Sequence, residues 1–281
     1  MTGLVLEGGA LRGIFTAGVL DVLMENEIYA PYVIGVSAGA SNAMSYKSRQ
    51  IGRNKIVSHP PKKDSYYGVG QFVKCGNIVN LDKMLDEFAY EKYPFDFDTY
   101  FSNDMKVEYV ATCLETGKSA FLTDNDDKDR LITAVKASCA LPMLSDPIEL
   151  DGMHYADGSI TDSIPVKRAM ENGCDRVVAI LTRPVGVGHA TDYTKTRGIL
   201  KTMFGKKYPE FFNACMNRVE YYSESVDYLK KLQEEGKALV ICPELPELSK
   251  TEKDEAVIEA YYMHGREKTL EKIDVLREWL K

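Results

Sequence analysis

The chain has 281 residues, 44% of them hydrophobic and 27% charged, with a formal net charge of −7 and a pI near 5.3. That is the composition of a globular protein with a sizeable core. Its acidic balance argues against nucleic acid as a partner while leaving local basic patches free to meet an anionic lipid surface. Six cysteines, at 75, 113, 139, 174, 215 and 242, form no CxxC pair and have no close histidine, so neither a zinc site nor a thioredoxin-like motif is expected; nor does any motif described below call for a metal or organic cofactor.

Along the chain, Leu4–Leu6 is a short apolar run ending at Gly8-Gly9, the mark of a buried strand entering a tight turn. Residues 11–26 then place Ile14, Val19, Leu20 and Leu23 near helical spacing. A second strand is expected over Tyr32–Val36 and a helix over 38–49. Two successive strand–turn–helix units are the pattern of an α/β fold with a parallel sheet. Gly, Pro and Lys dominate residues 52–70, and a helix is expected over 81–88. Strands follow over 107–113 and 119–122 about Gly117, then a helix over 126–138 ended by Pro142, then a hairpin over 148–156 about Asp151-Gly152. A helix is expected over 165–172, with Gly173 just past its end, and a strand over 177–181. Beyond about Thr182 the texture changes. Phe212, Cys215, Val219, Tyr222, Val226 and Leu229 alternate spacings of three and four, which marks a long amphipathic helix over 209–235. A strand over 238–242 and a final helix over 254–280 complete the chain.

Three short motifs carry chemistry. Gly35-Val36-Ser37-Ala38-Gly39 is a G-x-S-x-G between a strand and a helix, a sharp turn that projects the Ser37 hydroxyl while glycines on either side let the backbone pass. The helix that follows aims its N-terminal N–H groups at developing negative charge. Three fixed positions recur by chance in about one protein in ten, so the strand–turn–helix setting carries the weight. The second motif, Gly8-Gly9-Ala10-Leu11-Arg12-Gly13, is not a clean dinucleotide fingerprint, because Ala stands at position 10. Its free backbone amides suit an oxyanion hole, and Arg12 is placed to order the loop or hold a polar head group. The third is Asp157-Gly158-Ser159, which in isolation reads as a turn.

Motif order bears on mechanism. In an α/β-hydrolase the nucleophile follows several earlier strands and a histidine follows the acid, whereas Ser37 here follows only the second strand. The four histidines fall in a Pro/Lys-rich loop (His59), a hairpin strand (His154), Gly-rich coil (His189) and the final helix (His264), none in a catalytic context.

Taken together, these stretches resemble the patatin-like phospholipase family. The likeness covers the glycine loop at Gly8–Gly13, the serine elbow at Gly35–Gly39, Asp157–Gly158, and the run Ala137-Ser138-Cys139-Ala140-Leu141-Pro142 continuing through Asp151-Gly152 to Ile164-Pro165-Val166. It departs at Ala10, where a third Gly is common, and at Ser159, where Gly or Ala is usual. The resemblance implies a three-layer α/β/α catalytic domain with a mainly parallel central sheet over residues 1–185. Residues 186–281 then form a mainly helical C-terminal extension packed on it. It also implies an acyl-lipid substrate and a Ser37–Asp157 dyad, supported by Gly35, Gly39 and Gly158, with Gly8, Gly9, Ala10, Leu11, Arg12 and Gly13 as the oxyanion and substrate-binding loop. An ordinary carboxylate, with a pKa of about 3.9, is a weak base for an alcohol, so such a dyad requires Asp157 to be partly desolvated and close to Ser37. A carboxylesterase or acyltransferase with the same dyad, and a non-catalytic lipid-binding regulator, stand as alternatives.

Residues 195–207 set Ile199, Leu200, Met203 and Phe204 on an expected shared helical face among Lys195, Arg197, Lys201, Lys206 and Lys207, a composition suited to an anionic membrane surface, though more often found in a core-packed helix with a solvated basic face. The first residues carry no basic and apolar export pattern, and no apolar run approaches the roughly 18 residues of a membrane span. The expected location is cytoplasmic, with peripheral membrane contact through Lys195–Lys207.

Overall fold

The computed structural model describes residues 1–184 and 190–280. The chain opens with β1 (Thr2–Leu6), α1 (Gly13–Glu25), β2 (Tyr32–Val36) and α2 (Ala38–Lys47). The Pro/Lys-rich stretch carries two short helices, α3 (Arg53–Ser58) and α4 (Val69–Cys75). A π-helix (Asp82–Lys92) and α5 (Phe97–Phe101) lead into β3 (Lys106–Cys113) and β4 (Ser119–Leu122). Then come α6 (Lys128–Cys139), β5 (Ile148–Leu150), β6 (Met153–Asp157), α7 (Val166–Glu171) and β7 (Arg176–Ile180). The C-terminal part holds α8 (Arg197–Phe204), α9 (Pro209–Glu234), β8 (Ala238–Ile241), α10 (Glu255–Leu270) and α11 (Ile273–Trp279). The expected boundary at 185/186 and the expected coil around His189 lie outside the described residues.

The expected α/β/α architecture is present. Strands β3, β2, β1, β7 and β8 run parallel in that order. Every residue of β1 is buried, as a parallel sheet covered on both faces requires. Leu4 and Leu6 join a core with α1, α2 and α6, whereas Val5 points the other way, into a core with Ala169 of α7 and Tyr222, Val226 and Leu229 of α9. The edge strand β8 comes from the C-terminal region, which therefore extends the sheet as well as covering it.

The positioning of the site comes from β3. Its residues Lys106–Val110 pair with β2, and its residues Ala111–Cys113 pair antiparallel with Asp157–Tyr155 of β6. Strand β4 pairs with Tyr109–Thr112. Tyr109 and Val110 thus have β2 and β4 as neighbours, and Ala111 has β4 and β6. Each residue offers only two edges, so β2 and β6 lie end to end on the same edge. The hairpin that delivers β6 turns at Asp151 (φ 54°) and Gly152 (φ 75°), both left-handed, as a two-residue Asp-Gly turn demands.

Two elements differ from expectation. The helix expected over 81–88 is longer and widened into π geometry. The helix expected over 254–280 breaks at Glu271–Lys272 into α10 and α11. There the buried Thr269 hydroxyl donates to the Gly265 carbonyl and the Lys272 amide donates to the Thr269 carbonyl, which tightens the last turn and redirects Leu276 and Leu280 into the core.

Helix α10 crosses α1 at backbone contact: a Cβ at Gly18 would overlap the Tyr262 carbonyl, and one at Gly265 the Phe15 carbonyl. Backbone cannot rotate away as a side chain can, so overpacking here costs about 2–3 kcal/mol. Gly265→Ala is expected to lower the melting temperature by about 5–10 °C, read by calorimetry. An unchanged transition would refute the close crossing.

Candidate active site

The turn from β2 into α2 holds Ser37 at φ 54°, ψ −119°, a left-handed conformation that costs a non-glycine residue on the order of 1–3 kcal/mol. Surrounding contacts enforce it. The Ser37 amide donates to Ser138 Oγ at 2.9 Å, and the same hydroxyl donates to the Val110 carbonyl at 2.6 Å. The Ser37 carbonyl accepts from Ala40 and Ser41 of α2, and from the buried Cys139 thiol. Both motif glycines are needed for space. A side chain at Gly35 would strike the Gly39 carbonyl, and one at Gly39 the Leu6 carbonyl, so β1, β2 and α2 close in only with hydrogen at both positions.

The glycine loop lies directly against this turn. A Cβ on Gly8 would sit 3.2 Å from Ser37 Cβ. Gly8 and Gly9 donate no amide hydrogen bond to any described residue, so both N–H groups remain available for an anion near Ser37. Ala10 holds φ 51°, which explains physically why glycine suits that position. The buried Arg12 closes the loop: its Nε donates to the Gly9 carbonyl and its Nη1 pairs with Glu247. Leu11 and Gly13 stand behind, Leu11 packed into the core and Gly13 beginning α1 against Ala38, so these two expected loop residues do not reach the cavity beside Ser37.

Asp157 ends β6. Its partner on β3, Ala111, directly follows Val110, the partner of Val36, and consecutive strand residues are about 3.3 Å apart. The structure thereby brings the serine turn and the aspartate together at one junction. Asp157 is fully buried; its Oδ1 accepts from the Ser159 amide at 2.8 Å, while Oδ2 has no hydrogen-bond partner among the described residues. It is not hydrogen-bonded to Ser37 in this conformation. Gly158 passes so close to the Val110 carbonyl that any Cβ would overlap it.

Glu7, Gly8, Gly9, Ala10, Arg12, Ser37 and Ser159 line a cavity with Arg183, Arg218, Tyr222 and Lys250. Its volume is about 40 Å³, room for a few waters and not for an acyl ester, so a substrate reaches Ser37 only when part of this wall moves. Two larger cavities, about 300 and 410 Å³, open elsewhere and contain neither Ser37 nor the glycine loop, so size does not locate this site. Among the described residues no group of His, Cys, Asp and Glu is arranged to hold a metal.

Several contributors lie outside the expected set. Glu7, fully buried, accepts from the Thr182 amide and hydroxyl and from Tyr222, and lies 3.7 Å from Arg183. Arg218 of α9 donates from Nε to the Ser159 carbonyl and from Nη2 to Ser159 Oγ, clasping the loop after Asp157. A signal existed for it, because Arg218 falls on the buried stripe Phe211, Cys215, Tyr222 and Val226, where a cation demands a partner. The three described histidines do not line the cavity: His59 and His154 pair with Glu255 and Glu115, and His264 accepts from the Glu244 amide.

Comparison with known proteins accords with this geometry. Residues 4–170 match the family described as patatin-like phospholipase, and residues 208–281 match a domain of unknown function, DUF6363. An uncharacterized Escherichia coli protein, YjjU, is 33% identical over 196 residues, covering 64% of this chain and 52% of that protein. The lysophospholipase NTE1 of Saccharomyces cerevisiae is 26% identical over 202 residues, 68% of this chain and 11% of the enzyme. The chain spans about half the length of the first curated relatives it matches. The crystal structure of VipD from Legionella pneumophila shares the fold, with a TM-score of 0.52 and 15% identity over 98% of this chain and 67% of VipD.

Ser138 links the strained turn to β3. Ser138→Ala leaves the buried Ser37 amide and Val110 carbonyl without that partner and is expected to destabilise the fold by about 1–3 kcal/mol in urea unfolding. No loss of stability would show that the bridge is dispensable.

Proposed function

The chain belongs to the patatin-like phospholipase family, and we propose that it is a lipid acyl-ester hydrolase in which Ser37 attacks the ester carbonyl and Asp157 takes the serine proton. The observation that carries this reading is the junction on β3, where the turn after β2 meets the end of β6 and a buried carboxylate oxygen, Oδ2, lacks a partner. In the proposed mechanism Ser37 Oγ forms the acyl bond while its proton passes to Asp157. The Gly8 and Gly9 amides and the N-terminus of α2 stabilise the oxyanion. The proton then goes to the leaving alcohol as the carbon–oxygen bond breaks, and water repeats the sequence to release the acid. No histidine takes part. The lysophospholipase relative supports a lipid ester as the substrate. We assign this chemistry to residues 1–185 and the closing wall of the site to residues 186–281.

Ser37→Ala and Asp157→Asn are each expected to lower hydrolysis of a fluorogenic acyl ester by about a thousandfold or more. Ser37→Ala is also expected to abolish fluorophosphonate labelling. Joint replacement of His59, His154, His189 and His264 is expected to leave turnover within about threefold. An essential histidine would overturn the dyad.

Peripheral membrane contact through α8 belongs to the same proposal. Among the described residues no helix is long and apolar enough to cross a membrane. The expected shared face of α8 is split: Leu200 and Phe204 are buried on the protein, while Ile199 and Met203, one residue earlier on each turn, are exposed. These two apolar side chains lie within the basic run 195–207 and suit insertion at an anionic surface. Co-sedimentation with phosphatidylserine vesicles is expected, and Lys201→Glu with Lys206→Glu is expected to weaken it severalfold. Binding that ignores these charges would remove α8 from the interface.

A further inference from the structure

Positive charge crowds the Ser37 cavity in a chain that is negative overall. Arg12, Arg183, Arg218 and Lys250 line it, with Glu7 the carboxylate among the described lining residues. Two of the cations have acidic neighbours, Arg12 with Glu247 and Arg183 with Glu7. Arg218 and Lys250 form no ion pair with a described residue, and the acidic group that acts on Lys250 is the buried Asp157. Arg218 is 7% exposed and gives two of its nitrogens to Ser159, but its buried Nη1 has no hydrogen-bond partner among the described residues. Lys250 Nζ donates to the neutral Thr191 hydroxyl at 2.9 Å. Lys250 is exposed as a residue, but loss of water around its ammonium, followed by the charges of Arg12, Arg218 and Arg183, pushes it down to about 8, although Asp157 acts in the opposite direction. The wall thus holds two cations, Arg218 and Lys250, that no described carboxylate contacts as an ion pair, with Asp157 the buried carboxylate that acts on Lys250.

We propose that this cavity is a head-group subsite for a phosphomonoester, so that the ester cleaved at Ser37 belongs to an acyl lipid bearing a terminal phosphate. The proposal rests on Ser37 being the nucleophile. A phosphomonoester brings close to two negative charges and three acceptor oxygens. That number of oxygens suits two cations approaching from different elements, Arg218 from α9 and Lys250 from the segment after β8. Lys250 lies on an exposed residue near the end of that segment, whereas Arg218 is fixed by Ser159, so the Lys250 side is the wall that yields when a head group enters.

The test compares kcat/KM for an acylglycerol phosphate with that for the matching uncharged acylglycerol, in mixed micelles of equal surface concentration. The expected preference for the phosphate lipid is tenfold or more. Lys250→Gln is expected to cut that ratio about tenfold, and Lys250→Arg to retain it. Lysine carries its charge below its pKa and a phosphomonoester its second charge above about pH 6, so the wild-type ratio is expected to be fullest near pH 7 and to fall as pH rises through about 8; the arginine variant should stay level from pH 7 to about pH 9. A phosphate lipid no better than the uncharged one, or a ratio unmoved by Lys250→Gln, overturns the subsite. Calorimetry with glycerol phosphate and inorganic phosphate reads the subsite without turnover: wild type is expected to bind glycerol phosphate, and Lys250→Gln to weaken it about tenfold. Absence of binding overturns the proposal, as does inorganic phosphate that binds without competing with the phosphate lipid, because the site would then serve a free anion. Hydrolysis that survives Ser37→Ala would instead sink the nucleophile assignment and leave these binding results readable.

Discussion

The site depends on a single edge of β3 being shared by two strands. Strand β2 runs parallel to β3 and stops opposite Val110, and β6 runs antiparallel and stops opposite Ala111. Opposite directions on one edge bring both C-terminal ends to the same point, which juxtaposes a turn residue and a carboxylate far apart in sequence. Gly158 has no side chain because the chain leaving β6 must cross the Val110 carbonyl, and Ser138 reaches the same carbonyl while holding the Ser37 amide. A shift of either strand by one residue would send Ser37 or Asp157 to the other face of the sheet.

Around that junction the protein carries several locally unfavourable features. Ser37 and Ala10 both hold left-handed backbone, and Asp157 is buried with one oxygen lacking a described partner. Each is worth on the order of 1–3 kcal/mol against folding. They persist because both faces of the sheet are packed: β1 is fully buried between two apolar cores, and α10 lies against α1 at backbone distance. Strain gathered at a rigid strand–helix junction keeps the hydroxyl oriented without waiting for substrate.

Much of the fold was legible from periodicity. The buried run at Leu4–Leu6, the strand–turn–helix passing through Ser37 and the Asp151-Gly152 turn are local signals, and each appears where residue type alone places it. The end-to-end meeting of β2 and β6 was not legible, because register on a third strand is a long-range property that no local pattern encodes. Arg218 is hidden for another reason: the spacing of three and four on α9 runs equally well through the apolar Val219, one position away from the residue that is buried. On α8 the apolar residues form two adjacent rows, and composition cannot tell which row faces the protein. The break at Glu271–Lys272 turns on one buried threonine hydroxyl, which no periodicity of apolar residues signals.

The proposed chemistry and its enclosure come from different parts of the chain. The family match ends at residue 170, and Ser37, Asp157 and the glycine loop all fall within it. Arg218, Tyr222, Glu247 and Lys250 fall beyond it, in the same stretch that supplies β8 and α10. Glu247 grips Arg12 and Arg218 grips Ser159, so the C-terminal part holds both the loop that would stabilise an oxyanion and the loop that carries the carboxylate. Removing it would expose the junction, and it would also release the two loops from the groups that fix them. Enclosure, charge and loop order are therefore one property of this wall. In the proposed reaction, a lipid that displaced this wall would take the place of water beside Ser37, where dipoles would act most strongly on a forming oxyanion.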